Sequence, residues 1–367
     1  MVDWDIGRVV NIVEETGEIQ IVIVKHSNGK SRAINYLQFQ EALSIGHKVI
    51  INKTAKTLNL GSGGYDFIVT PINLTNTRRI KVIAEEGHIM KLRYTPYQFS
   101  VLSAEEQDSK HHDIFKEVKF LEGMPVIIGE LHSMLPVVVT VFRQLEIKYQ
   151  TERKKIVYIM TDGAALPISF SNHVRRLQEI GWLDNTITIG QSFGGNLEAV
   201  NIYTGLIAAK YIFMADVAIV IMGPGITGTG TVFGHTGIEQ GVIANAAASL
   251  KGLPVSIIRA GTNDKRQRHH GISHHTLTTL TYVTLVKSVI PYPGHIEKNF
   301  PGIYQVLEDN FRKKHELKKV FLEHQEVKDH LKKYPYPITT MGRTIEEDPL
   351  FFDFVAGSAY WLFNYYN

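Results

Sequence analysis

The chain has no cysteine at any of its 367 positions. This absence excludes disulfide bridges, thiolate metal ligands and a cysteine nucleophile. A strong charge of one sign is also lacking, because 39 lysines and arginines are offset by 36 aspartates and glutamates, which leaves a net charge of +3. Such a balance does not supply the basic surface that nucleic-acid binding needs, so we expect no nucleic-acid partner.

Long hydrophobic runs are scarce as well. The longest, residues 211–222, is interrupted by Asp216 and is shorter than the roughly 20 apolar residues of a membrane-spanning helix. Asp3 and Asp5 stand where a secretory signal peptide would carry basic residues, and no apolar segment follows them. We therefore expect a cytoplasmic protein with no membrane partner.

What is present divides into four segments. Residues 1–72 hold five short Val- and Ile-rich runs broken by turn residues, which predicts a small N-terminal β-barrel. Residues 73–120 form a connector that could add a β-hairpin; residues 87–96 resemble a strand stopped by Pro96, and the polar stretch 104–119 could form a helix. Residues 121–290 alternate apolar strands with helices, a pattern typical of an α/β ligand-binding domain with a mainly parallel, Rossmann-like sheet covered by helices. Residues 291–367 predict a helical extension that packs on this domain or on a partner subunit, and we expect a homo-oligomer.

Within the third and fourth segments, helical periodicity and capping residues set the predicted helix bounds. Ser133, Ser169 and Ser273 are the predicted N-caps. The predicted helices are Ser133–Tyr149, Ser169–Ile180, Asn196–Phe213, Thr236–Leu250, Ser273–Val289, Ile303–Lys333 and Asp348–Tyr366.

Polar or glycine-rich residues follow every predicted strand of the parallel sheet. Ligands of such sheets bind beyond the carboxyl ends of the strands, so these loops should converge on one site. The loops are residues 130–133, 161–165, 191–196, 223–236 and 259–270.

The fourth of these loops is predicted to bind an anion such as a phosphate or carboxylate. Its glycines let backbone amides approach a ligand, and the helix predicted from Thr236 adds its positive end. Arg259, Arg268 and Arg343 could neutralise the ligand. The cradle would comprise Gly223, Gly225, Thr227, Gly228, Thr229, Gly230 and Thr231.

Two other interpretations of this loop stay open. Gly223, Gly225 and Gly228 match the G-x-G-x-x-G dinucleotide fingerprint, and Arg259 after the next strand would suit NADP, although the helix begins late. A P-loop lacks its lysine here. The loop could equally be a glycine-rich crossing needed only for close packing.

Histidines beside this loop are the candidates for proton transfer. We predict catalytic roles for Asp162, His235, His270, His274 and His275, because neutral histidine can accept a proton, polarise a carbonyl or bind a metal. A divalent metal would also want carboxylates, for which Asp162, Asp264 and Glu130 are placed in the right loops. The alternative is that the histidines cap a helix and satisfy loop carbonyls.

Two further residue types have structural interpretations. Ser192 lies in a literal G-x-S-x-G, but an acid in the right place for a hydrolase triad is missing, so we favour a structural role. Glu239 stands three residues after Thr236, a capping-box spacing, and we favour a cap over a general base.

The chain resembles an uncharacterised bacterial family of unknown function along almost its whole length. The resemblance implies a bacterial cytoplasmic protein and supplies no catalytic residues, but it draws attention to Arg343 near the predicted rim. It rests on AINY (33–36), GSGGYDFIV (61–69), GHIMKLRYTP (87–96), GELHSMLP (129–136), TDGAALP (161–167), QSFGGNLEAVN (191–201), GPGITGTGTVFGHTG (223–237), HGISHHT (270–276) and TMGRTIEEDP (340–349).

Together these observations predict an enzyme, a hydrolase or transferase that acts on a small phosphorylated or carboxylated metabolite. The alternative is a non-catalytic sensor that binds a nucleotide-like metabolite. Two weaker hypotheses are an NADP-dependent oxidoreductase, which the imperfect fingerprint disfavours, and nucleic-acid binding through the barrel.

Overall fold

A computed structural model describes residues 3–57, 64–72, 87–94, 97–163 and 165–367. The chain divides into two compact units. The first comprises residues 1–86 and 92–100, and the second comprises residues 87–91 and 101–367.

The first unit contains a closed five-stranded β-barrel, as the sequence predicted. Strand β1 pairs with β2 and β4, and β5 closes the barrel between β3 and β4. Alternate inward-facing residues, among them Val9, Val22 and Val49, form its apolar core. The elements are β1 (Trp4–Glu15), β2 (Ile19–His26), β3 (Gly29–Tyr36), β4 (Lys48–Asn52), α1 (Thr54–Thr57) and β5 (Asp66–Pro71).

Between barrel and sheet, the sequence predicted a connector over 73–120 with a strand over 87–96 and a helix over 104–119. Two short strands are present, β6 (Ile89–Lys91) and β7 (Phe99–Val101). The predicted helix is wrong, because this polar stretch forms turns and one short 3₁₀ helix, His112–Phe115. Residues 73–86 and the predicted strand end at 95–96 lie outside the described residues.

The second unit is built on an eight-stranded, all-parallel sheet in the order β11-β10-β9-β12-β8-β13-β16-β17. Its central strands are buried along their whole length, which explains their unbroken apolar sequences. The strands are β8 (Pro125–Gly129), β9 (Ile156–Thr161), β10 (Asn185–Ile189), β11 (Leu197–Ala199), β12 (Val217–Met222), β13 (Leu253–Ser256), β16 (Val289–Pro293) and β17 (Glu316–Val320), while β14 (Ala260–Gly261) and β15 (Gly271–Ile272) pair separately.

Helices cover both faces of this sheet. Alternate residues of β12 enter different cores: Ile219 packs with α2, α3 and α10, whereas Val220 packs with α4 and α5. The helices are α2 (Met134–Tyr149), α3 (Asn172–Glu179), α4 (Ile202–Tyr211), α5 (Glu239–Ser249), α6 (His274–Thr278), α7 (Ile296–Asn299), α8 (Pro301–Phe311), α9 (His324–Leu331) and α10 (Pro349–Tyr366).

The aromatic C-terminal helix α10 is buried by its own chain. Residues Leu350–Phe363 are all buried, and the helix packs on α2 and on β16. Of the two predicted locations for this helix, the α/β domain is therefore the one observed. None of the described helices is long and apolar enough to cross a membrane.

Three predicted helices include residues that instead form strands of the sheet. Residues 197–199 form β11, so the helix predicted from Asn196 starts only at Ile202, where the Asn201 side chain accepts hydrogen bonds from two amides. The helix predicted over 273–289 stops after a π-helical turn at Thr279–Val283, and β16 follows. In each case pairing with a neighbouring strand outweighs local helical propensity.

The charged segment 303–333 contains the third such strand. Its middle forms the edge strand β17, in which Lys318 and Lys319 are exposed. Charged residues are typical of edge strands, because only one side of the strand is paired. The mixed charges that favoured a solvated helix thus belong partly to a sheet edge.

A buried lysine links β6 to the loop between β10 and β11 and to β11 itself. The Lys91 ammonium donates to the carbonyls of Gly190 and Ser192 at 2.7 and 2.9 Å and lies 3.1 Å from a carboxylate oxygen of Glu198. Its side chain is fully buried. An ammonium can be buried only with such complete compensation, so these groups form a single structural unit.

Replacing Lys91 with methionine should destabilise the second unit by about 3–5 kcal/mol, because the Glu198 carboxylate would remain buried without its cation. Urea unfolding followed by circular dichroism measures the loss. Lys116→Met is the matched control, since its ion pair with Asp113 is exposed and should leave the midpoint unchanged. A Lys91→Met midpoint equal to that of the parent would contradict this assignment.

Candidate functional site

The carboxyl ends of β8, β12 and β13 form the part of the sheet edge where chemistry-bearing side chains meet. β12 and β8 are neighbours, yet α5, which follows β12, and α2, which follows β8, pack on opposite faces. Connections that diverge in this way leave a crevice at the strand ends, the usual ligand position in open α/β sheets. Glu130 follows β8, the glycine-rich loop follows β12, and Arg259 follows β13 closely.

Four histidine rings meet at this crevice, and we call them the histidine cluster: His235, His269, His274 and His275. His235 and His275 stack face to face, with ring centroids 3.9 Å apart and planes within 4°. His269 lies 5.0 Å from His275, and His274 lies 4.4 Å from it. The cluster draws one residue from the β12 loop and three from the segment after β13.

Local structure around Ser273 brings three of these rings together. The Ser273 hydroxyl caps α6 by accepting a hydrogen bond from the amide of His275, as predicted. The same hydroxyl lies 2.8 Å from Nδ1 of His269. Ser273 therefore holds in place both the His269 ring, four residues before it, and the first turn of α6, which follows it.

A buried ion pair supports the cluster from the sheet side. Arg259 donates to a carboxylate oxygen of Glu130 at 2.6 Å, and Nδ1 of His275 lies 3.6 Å from the same oxygen. Burial by itself would raise the pKa of Glu130, but the charges of Arg259 and His275 prevail and lower it to about 2. Glu130 is thus a carboxylate at neutral pH.

Burial also decides the protonation of the imidazoles. It lowers the pKa of His235 to about 4 and that of His269 to about 3, with neighbouring histidine or arginine charges acting in the same direction. The pKa of His274 is lowered for the same reasons. These rings are therefore neutral at pH 7 and each keeps one nitrogen lone pair.

Several of these ring nitrogens have no hydrogen-bond partner among the described residues. They are both nitrogens of His235, Nε2 of His269, Nε2 of His274 and Nδ1 of His275. Buried polar atoms in proteins are nearly always satisfied, so a concentration of unsatisfied ones indicates a place prepared for another group.

Arginines surround the cluster, but carboxylates already pair with most of them. Asp264 accepts two hydrogen bonds from Arg266 and lies 3.5 and 3.6 Å from the guanidinium groups of Arg343 and Arg259. Although burial acts to raise it, the pKa of Asp264 is held below its usual range by Arg266 and Arg343. Arg268 is exposed, and the described residues supply it with no ion pair or hydrogen bond.

The glycine-rich loop folds back on itself. Gly228 pairs with His235, Thr229 donates to the carbonyl of Gly234, and the Thr227 amide donates to the Thr236 hydroxyl. Two amides of the predicted anion-binding segment, those of Thr227 and Thr229, therefore already donate hydrogen bonds within the loop. The helical segment begins at Thr236, as predicted, with a short 3₁₀ turn before α5.

The structure places the predicted catalytic residues unequally. His235, His274 and His275 meet, whereas the exposed His270 turns away and contacts the carbonyl of Asp264. Asp162 is exposed and accepts from the amide of Gln191, on the far side of β12.

The predicted anion-binding residues are similarly divided. Arg259 joins the cluster through Glu130, and Gly228 lies beside His275, where an added Cβ would stand 2.9 Å from Nε2. Gly223 is buried behind the loop, and Gly225 and Gly230 adopt positive φ. Thr231 contacts the Thr229 hydroxyl within the loop.

Sequence reasoning undervalued two residues of the rim. His269 was passed over for its neighbour His270, although its i,i+4 spacing to Ser273 was a usable signal. Glu239 does not form the predicted capping box; it accepts a hydrogen bond from the Thr161 hydroxyl at 2.6 Å, and burial raises its pKa.

The serines behave as structural residues, with two corrections. Ser192 is buried and donates to the carbonyls of Met160 and Ile189. Ser133 occupies the start of α2, but its side chain caps nothing there. The helix predicted to be capped by Ser169 is capped by Ser171 instead.

The fold and this rim define a protein with a β-barrel and an α/β unit whose parallel sheet carries a histidine- and arginine-lined crevice. The chain belongs to DUF3866, a family described as a protein of unknown function, whose model matches residues 32–359. The expected kinship with a family that has no assigned activity is confirmed. No curated protein matches the sequence.

His132, next to the site, makes the folding stability of the protein depend on pH. Its ring lies 2.5 Å from the Ser171 hydroxyl and 3.2 Å from the carbonyl of Met222, and burial lowers its pKa to about 4, with His173 adding to the effect. An unfolded histidine titrates near 6.5. Between these two values the unfolded chain binds a proton that the folded chain does not, so stability falls as the pH drops through this window.

His132→Gln should therefore reduce the acid sensitivity of folding. Between pH 7 and pH 5 the parent should lose about 2 kcal/mol more unfolding free energy than the variant. Urea unfolding at both pH values measures the difference. Between pH 7 and pH 8 the two proteins should change in parallel, and equal losses down to pH 5 would refute the attribution.

Proposed function

We propose that the crevice at the ends of β8, β12 and β13 is the active site of a hydrolase or transferase that acts on a small phosphorylated or carboxylated metabolite. The observation that carries the proposal is the histidine cluster. It combines unpartnered, neutral imidazoles with the buried Glu130–Arg259 pair at the usual ligand position of an open α/β sheet.

Neutral imidazoles suit general acid–base chemistry. Hydrolysis and group transfer both require a proton to leave the attacking group and a proton to reach the leaving group. His235 is the strongest candidate for this work, because both of its ring nitrogens lack hydrogen-bond partners among the described residues. A carboxylate oxygen of Glu130 lies 3.6 Å from Nδ1 of the adjacent His275 ring.

Arginine side chains, more than loop amides, support the choice of an anionic substrate. Arg268 is exposed beside the glycine-rich loop, 3.8 Å from where a Cβ on Gly230 would stand, and its charge reaches His274. Arg259 has a buried Nη2 atom with no hydrogen-bond partner among the described residues. Guanidinium groups bind phosphate and carboxylate with paired hydrogen bonds.

The loop geometry argues against a dinucleotide as the substrate or cofactor. The fingerprint needs a helix that opens at its third glycine so that the pyrophosphate meets the helix end. Here Gly228 pairs with His235 instead, and the helical segment begins at Thr236. This disfavours the NADP-dependent alternative.

A thermal-shift panel of phosphorylated and carboxylated metabolites should identify a ligand that stabilises the protein. Arg268→Gln should weaken binding of that ligand by about 10–100-fold, the effect of losing a charge-assisted hydrogen bond. Lys265→Gln, a loss of one exposed cation from the same segment, is the matched control and should bind normally. Equal affinity of all three proteins would contradict the assigned anion contact.

Turnover separates an enzyme from a sensor. His235→Asn should retain binding of the identified ligand but lose at least about 100-fold of its turnover, the contribution of a general acid–base group. Phosphorus or proton NMR of the reaction mixture measures the product. A ligand that binds the parent and is never converted would favour the non-catalytic sensor instead.

A further inference from the structure

We infer that His269, His274 and His275 form a centre that binds one divalent transition-metal ion, with Zn²⁺ as the best match to its donors. The inference rests on the arrangement of the three rings and does not depend on the proposed function.

The three side chains already point their donors at a common region. One nitrogen from each ring lies within 4.8 Å of the other two. On a tetrahedral zinc ion with Zn–N bonds of about 2.0–2.1 Å, two nitrogens are about 3.4 Å apart. Closing the site requires the nitrogens to approach one another by up to about 1.4 Å, a distance that side-chain rotation can supply.

Burial makes the unpartnered nitrogens costly without such a ligand. His269 is 3% exposed and His275 is 4% exposed. Nε2 of His269 and Nε2 of His274 find no hydrogen bond among the described residues. An unsatisfied buried polar atom destabilises the fold, and a metal ion bound to these nitrogens would remove that cost.

The outer contact of the His269 ring follows the pattern of established metal ligands. The far nitrogen of a metal-binding histidine usually contacts a carboxylate, hydroxyl or carbonyl that fixes the ring. Nδ1 of His269 lies 2.8 Å from the Ser273 hydroxyl, which leaves Nε2 for the metal. Nδ1 of His275 lies 3.6 Å from Glu130, which is anchored in turn by Arg259.

A small cavity adjoins two of the three rings. A cavity of about 30 Å³ borders His269, His275 and Arg259. This is enough for a water-sized ligand. Gly228 forms part of the same wall, and its lack of a side chain lets the backbone approach His275 closely.

Donor type selects the class of metal. Imidazole nitrogen suits Zn²⁺, Co²⁺, Ni²⁺ or Cu²⁺, whereas Mg²⁺ and Ca²⁺ prefer oxygen ligands. The chain has no cysteine to complete a closed four-ligand structural site. Three histidines with an open fourth position are typical of catalytic zinc, where the ion can polarise a bound oxygen or activate water.

The experiment uses the full chain without an affinity tag, stripped with EDTA and dialysed against Zn²⁺ or Co²⁺. Mass spectrometry of the metal content should give one ion per chain, and the Co²⁺ form should show the visible absorption of a low-symmetry nitrogen site. His269→Ala and His275→Ala should each weaken binding at least 100-fold. Loss of a contact outside the ligand set, as in Glu130→Gln, should cost about 10–100-fold.

His270→Ala is the matched control, because this ring belongs to the same segment but contacts the carbonyl of Asp264. It should bind metal as the parent does. Circular dichroism and the melting temperature establish that each variant is folded. The metal content and Co²⁺ spectrum of the parent test the inference even if a variant fails to fold. A parent that retains no stoichiometric metal overturns the inference. So does a His270→Ala variant that loses as much affinity as His269→Ala.

Discussion

A carboxylate and a guanidinium, both almost fully buried, join the ends of two neighbouring strands. Glu130 follows β8 and Arg259 follows β13, and neither could be buried without the other, because an isolated charge in that position is strongly unfavourable. The pair therefore fixes the spacing of the two strand ends. His275 contacts the same carboxylate, and its ring lies against the other three histidine rings of the cluster.

Part of this arrangement could be predicted from the sequence, and part could not. The barrel and the parallel sheet follow from patterns of apolar residues, which act locally and can be read along the chain. The convergence of His235 with His274 and His275 was expected from loop order at the sheet rim. The choice of His269 over His270 was not, since it depends on the direction in which one short turn presents two adjacent rings.

The elements that sequence reasoning missed share a physical cause. Residues of β16 and β17 carry prolines or lysines, and their sequences resemble loops or solvated helices when considered alone. They become strands because a parallel neighbour supplies hydrogen bonds and an apolar face. Long-range pairing of this kind leaves little trace in a local pattern. The folding back of the Gly223–Thr231 loop was also missed, and its bonds to residues 234–236 use amides that were expected to bind a ligand.

The lysines of β17 have a consequence for how copies of this chain could meet. At one border of the sheet the outermost strand presents Lys318 and Lys319 to solvent, and at the other border β11 is only three residues long. Short or charged outer strands resist the addition of another strand. Continuous intermolecular sheets are thereby disfavoured at both borders, which protects a long, very apolar sheet from fibre-like growth while the chain is folding.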